Sequence, residues 1–475
     1  MAKETPLMQQ YREIKEQNKD SILFFRLGDF YEMFFDDAVI ASKELGITLT
    51  SRNKEKDQDV PLAGIPYHSS ASYISKLVQK GYKVAICEQV EDPKLAKGIV
   101  KREVVRVITP GTVLDLDYLD SKSNNYLLGF VVNKYALGVS YLDITTGEFK
   151  TTEIIKENNI GILLNEINKV APTEIVTDES SYELCKKELD NYLKQTGISL
   201  NILRKVKKSN EFLKEYFGVV SLESFGLMGK DYCIETSAMV LEYVLDLQKY
   251  NEIPVNKISY INKDLYVELN LSTQKNLELI ENPKEKSSHG TLLWVLDECK
   301  TSMGSRKLKE FIKNPLLNKE EILLRQKHVE YFLDEIIIRE EIKDKLKDVY
   351  DIERLIGKII LGTENGRDLI SLKKSLKSAK KIGEILGENI VKIDLSLMDK
   401  LYKKIDDTII EEAPFSIREG GMIKSGVNEE LDDLHNISNT GKDFIIDIET
   451  KEKEKTGIKT LRSEERRVGK ECLRL

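Results

Sequence analysis

Three carboxylates at predicted strand ends are of a type that could carry out hydrolytic chemistry. Asp143 ends one predicted strand, and Asp178 with Glu179 follows another. A carboxylate cluster of this kind can hold two magnesium ions for phosphodiester cleavage. The alternative is that the three acids form turns, which is common for acids at strand ends. The nuclease hypothesis therefore requires that the fold bring them together.

Phe30 and Glu32 form a second candidate pair, in the segment Arg26-Leu27-Gly28-Asp29-Phe30-Tyr31-Glu32. Residues two apart on a β-strand share one face. An exposed aromatic ring beside an acid is an unusual combination. Composition alone favours Phe30 as a core residue, because most phenylalanines in aromatic strands are buried.

Other motifs for catalysis or metal binding are missing from the sequence. No Gly-Lys pair is followed by Ser or Thr, as a phosphate-binding P-loop requires. The five cysteines and four histidines are widely scattered, which predicts neither a disulfide framework nor a metal site and fits a reducing cytoplasm. We therefore predict that this chain is not an enzyme and has no catalytic, cofactor-binding or metal-binding residues.

Length and charge set further bounds. The chain has 475 residues, which at roughly 150 residues per domain predicts about three domains. With 73 basic and 80 acidic residues the net charge is −7, which excludes a globally basic nucleic-acid binder but not a local basic surface. No apolar run approaches the length of a membrane span, and we expect no membrane association.

Periodicity and turn residues place these candidates on predicted elements. Residues 1–115 form an α/β domain with strands on both sides of Gly28-Asp29 and a Pro/Gly-rich loop at Pro61–Pro66. A linker at 116–125 precedes a mixed α/β domain at 126–252. The sequence predicts further elements at 4–19, 36–45, 47–51, Ser70–Lys80, 82–90, 101–109, Tyr126–Val132, Leu137–Ile144, Phe149–Ile154, 159–170, Glu174–Thr177 and Ser237–Tyr250.

From about residue 260 the sequence is dominated by helical periodicity with many Lys/Glu pairs, which we interpret as solvated helix faces. We place a helical domain at 255–435 and a further helix at 436–461. Helices are predicted at Lys319–Phe332, Ile336–Lys347, Asp368–Leu386 and Asn428–Lys455.

Several segments together resemble the MutS family of DNA mismatch-repair proteins over about residues 3–461. Gly28-Asp29-Phe30-Tyr31-Glu32 resembles the family's Phe-x-Glu mismatch reader. The remaining similar segments are Pro61–His68, Val84–Gln89, Arg106–Thr112, Tyr141–Asp143, Thr146–Phe149, Asn276–Leu279, Gly290–Asp297, Met303-Gly304, Asp351–Leu355, Ile417–Gly421 and Lys455–Lys459. Residues 462–475 do not fit the family pattern, and we predict a non-family tail there.

The resemblance implies a multidomain α/β plus α fold. Residues 1–115 would be a mixed α/β mismatch-recognition domain, and 126–252 a ribonuclease-H-like α/β connector. Residues 255–435 would be the first part of a mostly helical lever, or core, domain, and 436–461 the start of a clamp helix.

The resemblance also implies a function. Phe30 would wedge beside a mispaired or unpaired base in kinked duplex DNA, and Glu32 would contact the displaced base. Arg52, Lys54 and Leu62 are candidate DNA contacts, although the two cations could be ordinary loop charges and Leu62 a core residue. The alternatives are a scaffold of connector and lever that binds protein rather than DNA and, third, the metal-dependent nuclease.

For the full-length family, the resemblance implies ATP-dependent clamping with ATP and magnesium as cofactors, whose P-loop is absent here. It also implies a homodimer, a MutL-type partner bound through the connector, and double-stranded DNA with mismatches or small loops as the ligand. The expected location is the cytoplasm, in association with the nucleoid.

Overall fold

A computed structural model gives the architecture of the chain. Its Cα positions group into two compact units, residues 1–364 with 378–393 and residues 365–377 with 394–475. The structure describes residues 5–52, 60–91, 98–114, 119–157, 159–249, 252–285, 287–387, 395–414 and 417–458.

The first described elements build a six-stranded sheet, here called the first sheet, with strand order β3-β4-β2-β1-β5-β6. Strands β1 and β5 are parallel, and the other neighbours are antiparallel. The elements are α1 (Pro6–Gln17), β1 (Ser21–Leu27), β2 (Phe30–Phe34), α2 (Phe35–Leu45), β3 (Thr50–Arg52), β4 (Val60–Pro66), α3 (Ser70–Gln79), β5 (Lys83–Gln89) and β6 (Arg102–Ile108).

Both faces of the first sheet carry buried apolar residues. On one face, Tyr31 and Met33 of β2 pack with residues of α2 and α3. On the other face, Tyr11 of α1 stacks edge-on against Phe25 and Phe34, with ring centroids 5.4 and 4.9 Å apart. Strand alternation therefore supplies two cores, and α1 covers part of the second face.

The predicted loop at Pro61–Pro66 is wrong, because this segment is strand β4. Among the described strands, Pro61 pairs only with β3, opposite Ser51, and Pro66 pairs only with β2, opposite Phe30. Each proline lies where the strand has a neighbour on one side only, which is where a missing N–H group is tolerated. Proline and glycine content alone therefore mistook a strand for a loop.

A second six-stranded sheet, here called the second sheet, has strand order β11-β10-β7-β8-β9-β12. Strands β7, β8 and β9 form an antiparallel meander, and β10 adds parallel to β7. The elements are β7 (Leu127–Val132), β8 (Ala136–Asp143), β9 (Glu148–Ile155), α4 (Asn159–Val170), β10 (Glu174–Asp178), α5 (Glu179–Thr196), β11 (Ser199–Leu203), α6 (Ser209–Phe217), α7 (Asp231–Gln248) and β12 (Ser259–Tyr260).

Helix α7 packs closely on the second sheet at two positions where a strand carries a glycine. A Cβ atom built on Gly129 would lie 2.4 Å from Cγ2 of Val240, and one on Gly138 would lie 2.5 Å from the carbonyl oxygen of Tyr232. The helix begins at Asp231, six residues before the predicted start at Ser237. The earlier start follows from burial on the sheet, because tertiary packing extends a helix beyond its local signals.

The segment between the two sheets is fixed by a buried carboxylate. Glu174, the first residue of β10, is fully buried, and its Oε2 accepts hydrogen bonds from the Thr109 hydroxyl and, at 2.9 Å, from the Gly111 N–H group. Its Oε1 accepts from Asn201 at 2.7 Å and from the Tyr243 hydroxyl at 2.6 Å. The carboxylate thereby ties the end of the first sheet to the second.

The rest of the described chain is mostly helical, as the periodicity predicted. Asn318, Asp351 and Asn428 cap three of the helices by accepting a hydrogen bond from a first-turn N–H group. The helices are α8 (Leu271–Asn276), α9 (Leu292–Leu296), α10 (Ser302–Lys313), α11 (Lys319–Asp334), α12 (Ile336–Leu346), α13 (Ile352–Ile360), α14 (Gly366–Leu386), α15 (Leu395–Thr408) and α16 (Glu429–Thr456). The boundary predicted at 435/436 falls inside α16.

Two arginines of the helical region hold the described part of the predicted linker. Arg306 donates to the carbonyl oxygen of Ser121 at 2.9 Å and forms an ion pair with Asp351 at 2.6 Å. Arg354 donates to the carbonyl oxygens of Ser123 at 2.7 Å and Asp120 at 3.2 Å. The segment Asp351–Leu355, noted for its family resemblance, thus contributes residues that bind linker backbone.

The unit of residues 365–377 and 394–475 contains a buried lysine that pairs with two more exposed acids. Lys373 is 4% exposed and lies 3.1 Å from Oδ1 of Asp406, with Glu411 as a second partner. Throughout the described residues, no helix is both long and apolar enough to cross a membrane.

Candidate nucleic-acid interface

A two-residue turn sets the position of the candidate reader residues. Gly28 has φ +58°, a left-handed conformation that glycine adopts without strain, and Leu27 pairs directly with Phe30 across the hairpin. The N–H group of Tyr67 donates to the carbonyl oxygen of Asp29 at 3.0 Å. The hairpin end is therefore tied to the segment that follows β4.

Phe30 and Glu32 share one face of β2, as their spacing predicted. Phe30 is 47% exposed, whereas the intervening Tyr31 is buried and Glu32 is half-buried. Gly64 of β4 lies directly opposite Glu32. A Cβ atom on Gly64 would lie 3.7 Å from Cγ of Glu32 and 3.8 Å from Cδ1 of Phe30. A methyl group at position 64 would therefore touch both side chains at ordinary van der Waals distance, and glycine leaves only that small volume unfilled.

The exposure of Phe30 depends on where α1 lies. Phe34 is on the same face of β2 but is buried, because Tyr11 of α1 packs against its ring. On this face of β2, exposure increases towards the turn: Phe34 is buried, Glu32 is half-buried and Phe30 is exposed. The expectation from composition that Phe30 is a core residue is wrong for this reason.

Arg26 fixes the base of the hairpin from the opposite face. Its guanidinium lies 3.5 Å from the centroid of the Tyr67 ring, and its Nε donates to the carbonyl oxygen of Gly28 at 2.5 Å. Tyr31 donates its hydroxyl hydrogen to Glu88, and burial together with that carboxylate raises the Tyr31 pKa. Sequence reasoning assigned no role to Arg26, Gly64 or Tyr67. Their signal in the sequence was their position in the segments 26–32 and Pro61–His68, which were noted without a role for these residues.

The structure describes the three candidate DNA contacts to different extents. Leu62 is half-buried opposite Phe34 and packs against the core cluster that contains Phe34. Arg52 is the last residue of β3 and pairs with Val60. Lys54 lies outside the described residues. Only Leu62 thus has a described environment, and that environment resembles core packing.

Family comparisons match nearly the whole chain, in three consecutive pieces. The model of MutS domain I matches residues 5–117, that of MutS domain II matches 125–259, and that of MutS domain III matches 272–472. The chain belongs to the MutS family. The last match overlaps the segment 462–475, which was predicted to depart from the family pattern and lies outside the described residues.

Individual relatives agree with this family. The chain is 53% identical to the DNA mismatch repair protein MutS of Fusobacterium nucleatum, over 97% of this chain and 52% of that protein. It is 45% identical to the protein of the same name from Acetivibrio thermocellus and 41% identical to that from Staphylococcus epidermidis, each over 97% of this chain. This MutS-family chain spans about half the length of the curated relatives that it matches.

The candidate nuclease acids do not form one site in this MutS-family chain. Strand β10 is parallel to β7, and β8 is antiparallel to β7. The carboxyl ends of β8 and β10, where Asp143 and Asp178 lie, therefore point in opposite directions along the strands. Asp143 accepts from Thr145 and Asn125 backbone N–H groups at 2.9 and 3.2 Å. Asp178 caps α5 by accepting from the Ser181 N–H group at 3.0 Å, and Glu179 begins that helix. Asp143 therefore forms a turn, whereas Asp178 and Glu179 begin a helix.

Metal and thiol chemistry gain no support either. Within the described ranges, no group of three or more His, Cys, Asp or Glu side chains could hold a metal ion. Burial raises the pKa of the Cys87, Cys185 and Cys233 thiols to about 12. These three cysteines therefore remain protonated and behave as small apolar core residues.

Proposed function

We propose that the uncovered end of the first sheet recognises mismatched or unpaired bases in duplex DNA, as the reader of a mismatch-repair protein. The observation that carries the proposal is the 47% exposed ring of Phe30 on a fixed hairpin, beside Glu32 and the side-chain-free Gly64. Membership of the MutS family, with relatives named as DNA mismatch repair proteins, supports it.

A wedge of this kind discriminates through the energy of DNA deformation. A mispaired base stacks poorly, so unstacking and kinking cost less there than in intact duplex. Phe30 supplies a flat apolar surface of about base size, and stacking on an aromatic ring contributes roughly 1–3 kcal/mol per base. A ring held on a β-hairpin loses little conformational entropy on binding, which favours this use.

Glu32 adds specificity rather than affinity in this proposal. Its carboxylate is repelled by DNA phosphates, which weakens binding to correctly paired duplex. At a mismatch the displaced base offers a hydrogen-bonding edge to this carboxylate. An ionised Glu32 accepts from a base N–H group, whereas a base nitrogen acceptor requires the protonated acid.

Phosphate contacts must supply most of the affinity, because charge neutralisation dominates duplex binding. Arg52 and Lys54 stay our candidates for such contacts, and Leu62 for an apolar groove contact. The net charge of −7 is consistent with weak duplex binding by this chain itself.

For the longer proteins of the family we propose the remaining properties implied by the resemblance. These are a ribonuclease-H-like connector at 126–252, a lever that begins at 255–435, a clamp helix that starts at 436–461, and a homodimer with a MutL-type partner. ATP with magnesium would drive clamping through an ATPase domain. The P-loop motif that such a domain requires does not occur in these 475 residues. The expected location is the cytoplasm, at the nucleoid.

The test is fluorescence anisotropy of this chain with a labelled G·T duplex and with its matched counterpart. The unsubstituted chain should prefer the G·T duplex. Phe30→Ala should abolish that preference, because the stacking surface is lost, and Glu32→Gln should reduce it while binding to matched duplex holds or rises. Tyr135→Ala removes an exposed aromatic ring in the turn between β7 and β8 and is the matched control, expected to change neither affinity.

Three results would contradict the proposal. Unchanged preference in Phe30→Ala would exclude the wedge role, and a fall in both affinities with Glu32→Gln would make Glu32 structural. Equal, weak signals for both duplexes with the unsubstituted chain would favour the scaffold alternative.

A further inference from the structure

A small basic cavity lies between the second sheet and the helical region, apart from the candidate reader. Its volume is about 260 Å³, and its lining residues come from residues 123–314. The basic residues in the lining are Lys150, Lys169, Lys263, Arg306, Lys309 and Lys313, and the acidic ones are Glu166 and Glu310. Six cations therefore face two carboxylates across one recess.

Half of these cations already have carboxylate partners. Lys263 lies 2.5 Å from Glu166, Lys150 lies 3.0 Å from Glu310, and Arg306 pairs with Asp351 outside the cavity. Within the described residues, Lys169, Lys309 and Lys313 form no salt bridge. These three lysines, here called the lysine triad, are the cations of the described lining that have no carboxylate within salt-bridge distance.

The triad comes from two helix ends that the fold brings together. Lys309 and Lys313 are four residues apart on α10 and share a face with Arg306. Lys169 lies in the last turn of α4, and its carbonyl oxygen accepts a hydrogen bond from Nζ of Lys313 at 2.7 Å. That carbonyl group compensates part of the charge of Lys313, as a helix C-terminus does for a cation. Lys169 and Lys309 interact with acids only at longer range, Lys169 with Glu166 and Glu268, and Lys309 with Asp120 and Asp297.

Like charges at this density are held at an energetic cost. Burial and the neighbouring Lys309 and Lys169 lower the pKa of Lys313 to about 8. Burial and Lys263 lower the pKa of Lys169 to about 8. Both remain mostly protonated at pH 7, so their mutual repulsion persists unless an anion enters.

We propose that this cavity binds a small phosphate anion, inorganic phosphate or pyrophosphate, through the lysine triad. A compact lysine ammonium is a point-charge partner for phosphate. The cavity volume of about 260 Å³ is below the range of about 300–1,000 Å³ typical of pockets for drug-sized ligands, and it is large enough for one or two phosphoryl groups. The site is independent of Phe30 and Glu32, and its test does not depend on DNA binding.

The lining also predicts a consequence for the linker. Lys309 donates to the hydroxyl of Ser123 at 2.6 Å, and Ser123 and Asn124 both line the cavity. An anion there would hold α10, α4 and the linker together by shared contacts. Phosphate binding should therefore stabilise the folded chain against unfolding.

The experiment is isothermal titration calorimetry of the chain with inorganic phosphate and with pyrophosphate, in a zwitterionic buffer kept at constant ionic strength with sodium chloride. The unsubstituted chain should bind, and phosphate should raise its melting temperature. In Lys169→Met/Lys313→Met the affinity should fall by more than roughly tenfold, since two close cations are lost. Without phosphate, the same variant should melt no lower than the unsubstituted chain, because like-charge repulsion is relieved.

Two further variants keep the test decisive. Lys309→Met removes the third lysine alone and serves if the double variant does not fold, again with an expected loss of phosphate affinity. Lys186→Met, an exposed lysine of α5 paired with Glu183, is the matched control and should bind phosphate normally. Absence of phosphate binding in the unsubstituted chain, or undiminished binding in both triad variants, would overturn the proposal.

Discussion

The two six-stranded sheets of this chain differ in how completely helices cover their strands. Every residue of β8 in the second sheet is buried, and α7 covers the meander so closely that two glycines are required beneath it. In the first sheet, α1 covers Phe34. It does not cover Phe30, which lies four residues earlier on the same face of β2. Both sheets contain phenylalanine, glutamate and glycine, so the difference lies in coverage rather than in residue type.

This contrast separates residues that stabilise the fold from residues that are available for binding. A buried aromatic, acid or glycine in the second sheet contributes to the free energy of unfolding, because removing or enlarging it leaves a cavity, an unsatisfied donor or a clash. Its counterpart near the hairpin of the first sheet contributes little to stability. Matched substitutions in the two sheets measure the contrast directly.

The largest difference is expected between the two phenylalanines. Phe130 of β7 is fully buried, whereas Phe30 is 47% exposed. Phe130→Ala should lower the free energy of unfolding by about 4 kcal/mol through cavity formation, and Phe30→Ala by less than about 1 kcal/mol. Urea denaturation followed by circular dichroism measures both. Similar losses for the two variants would mean that Phe30 is a core residue after all.

A smaller difference is expected between two glutamates changed to glutamine. Each carboxylate oxygen of Glu174 accepts two hydrogen bonds. In Glu174→Gln one of these oxygens becomes an NH₂ group, which cannot accept hydrogen bonds from the two donors that it faces. We expect a loss of about 2–3 kcal/mol for Glu174→Gln and less than about 0.5 kcal/mol for Glu32→Gln. Thermal melting at pH 7 compares them. A loss in Glu32→Gln equal to that in Glu174→Gln would remove the distinction between the sheets.

The smallest difference is expected between two glycines changed to alanine. The new methyl group in Gly138→Ala would meet the backbone of α7 at 2.5 Å, whereas in Gly64→Ala its nearest neighbour is 3.6 Å away. We expect about 1–3 kcal/mol of destabilisation for Gly138→Ala and almost none for Gly64→Ala. If Gly64→Ala nevertheless weakens the preference for a G·T duplex, the small unfilled volume beside Phe30 and Glu32 is functional. Equal stability of the two variants would show that α7 can shift without cost.

Much of the fold was predictable because its signals are local. Apolar periodicity located the helices at 319–334 and 429–456 to within a few residues, and β-branched runs located β5 and β6. The errors occurred where packing overrides composition. Pro61–Pro66 is a strand because its neighbours tolerate both prolines, and α7 begins early because it lies on a sheet.

The sequence by itself determined that Phe30 and Glu32 share a face, because strand alternation and the Gly28-Asp29 turn are local properties. The family also follows from sequence, through matches that span residues 5–472. Only the tertiary structure decided which faces are covered. Whether α1 reaches Phe30, whether Asp143 meets Asp178, and whether Lys169 meets Lys313 all depend on contacts between distant segments. No local period encodes such contacts, since they arise from the packing of whole elements.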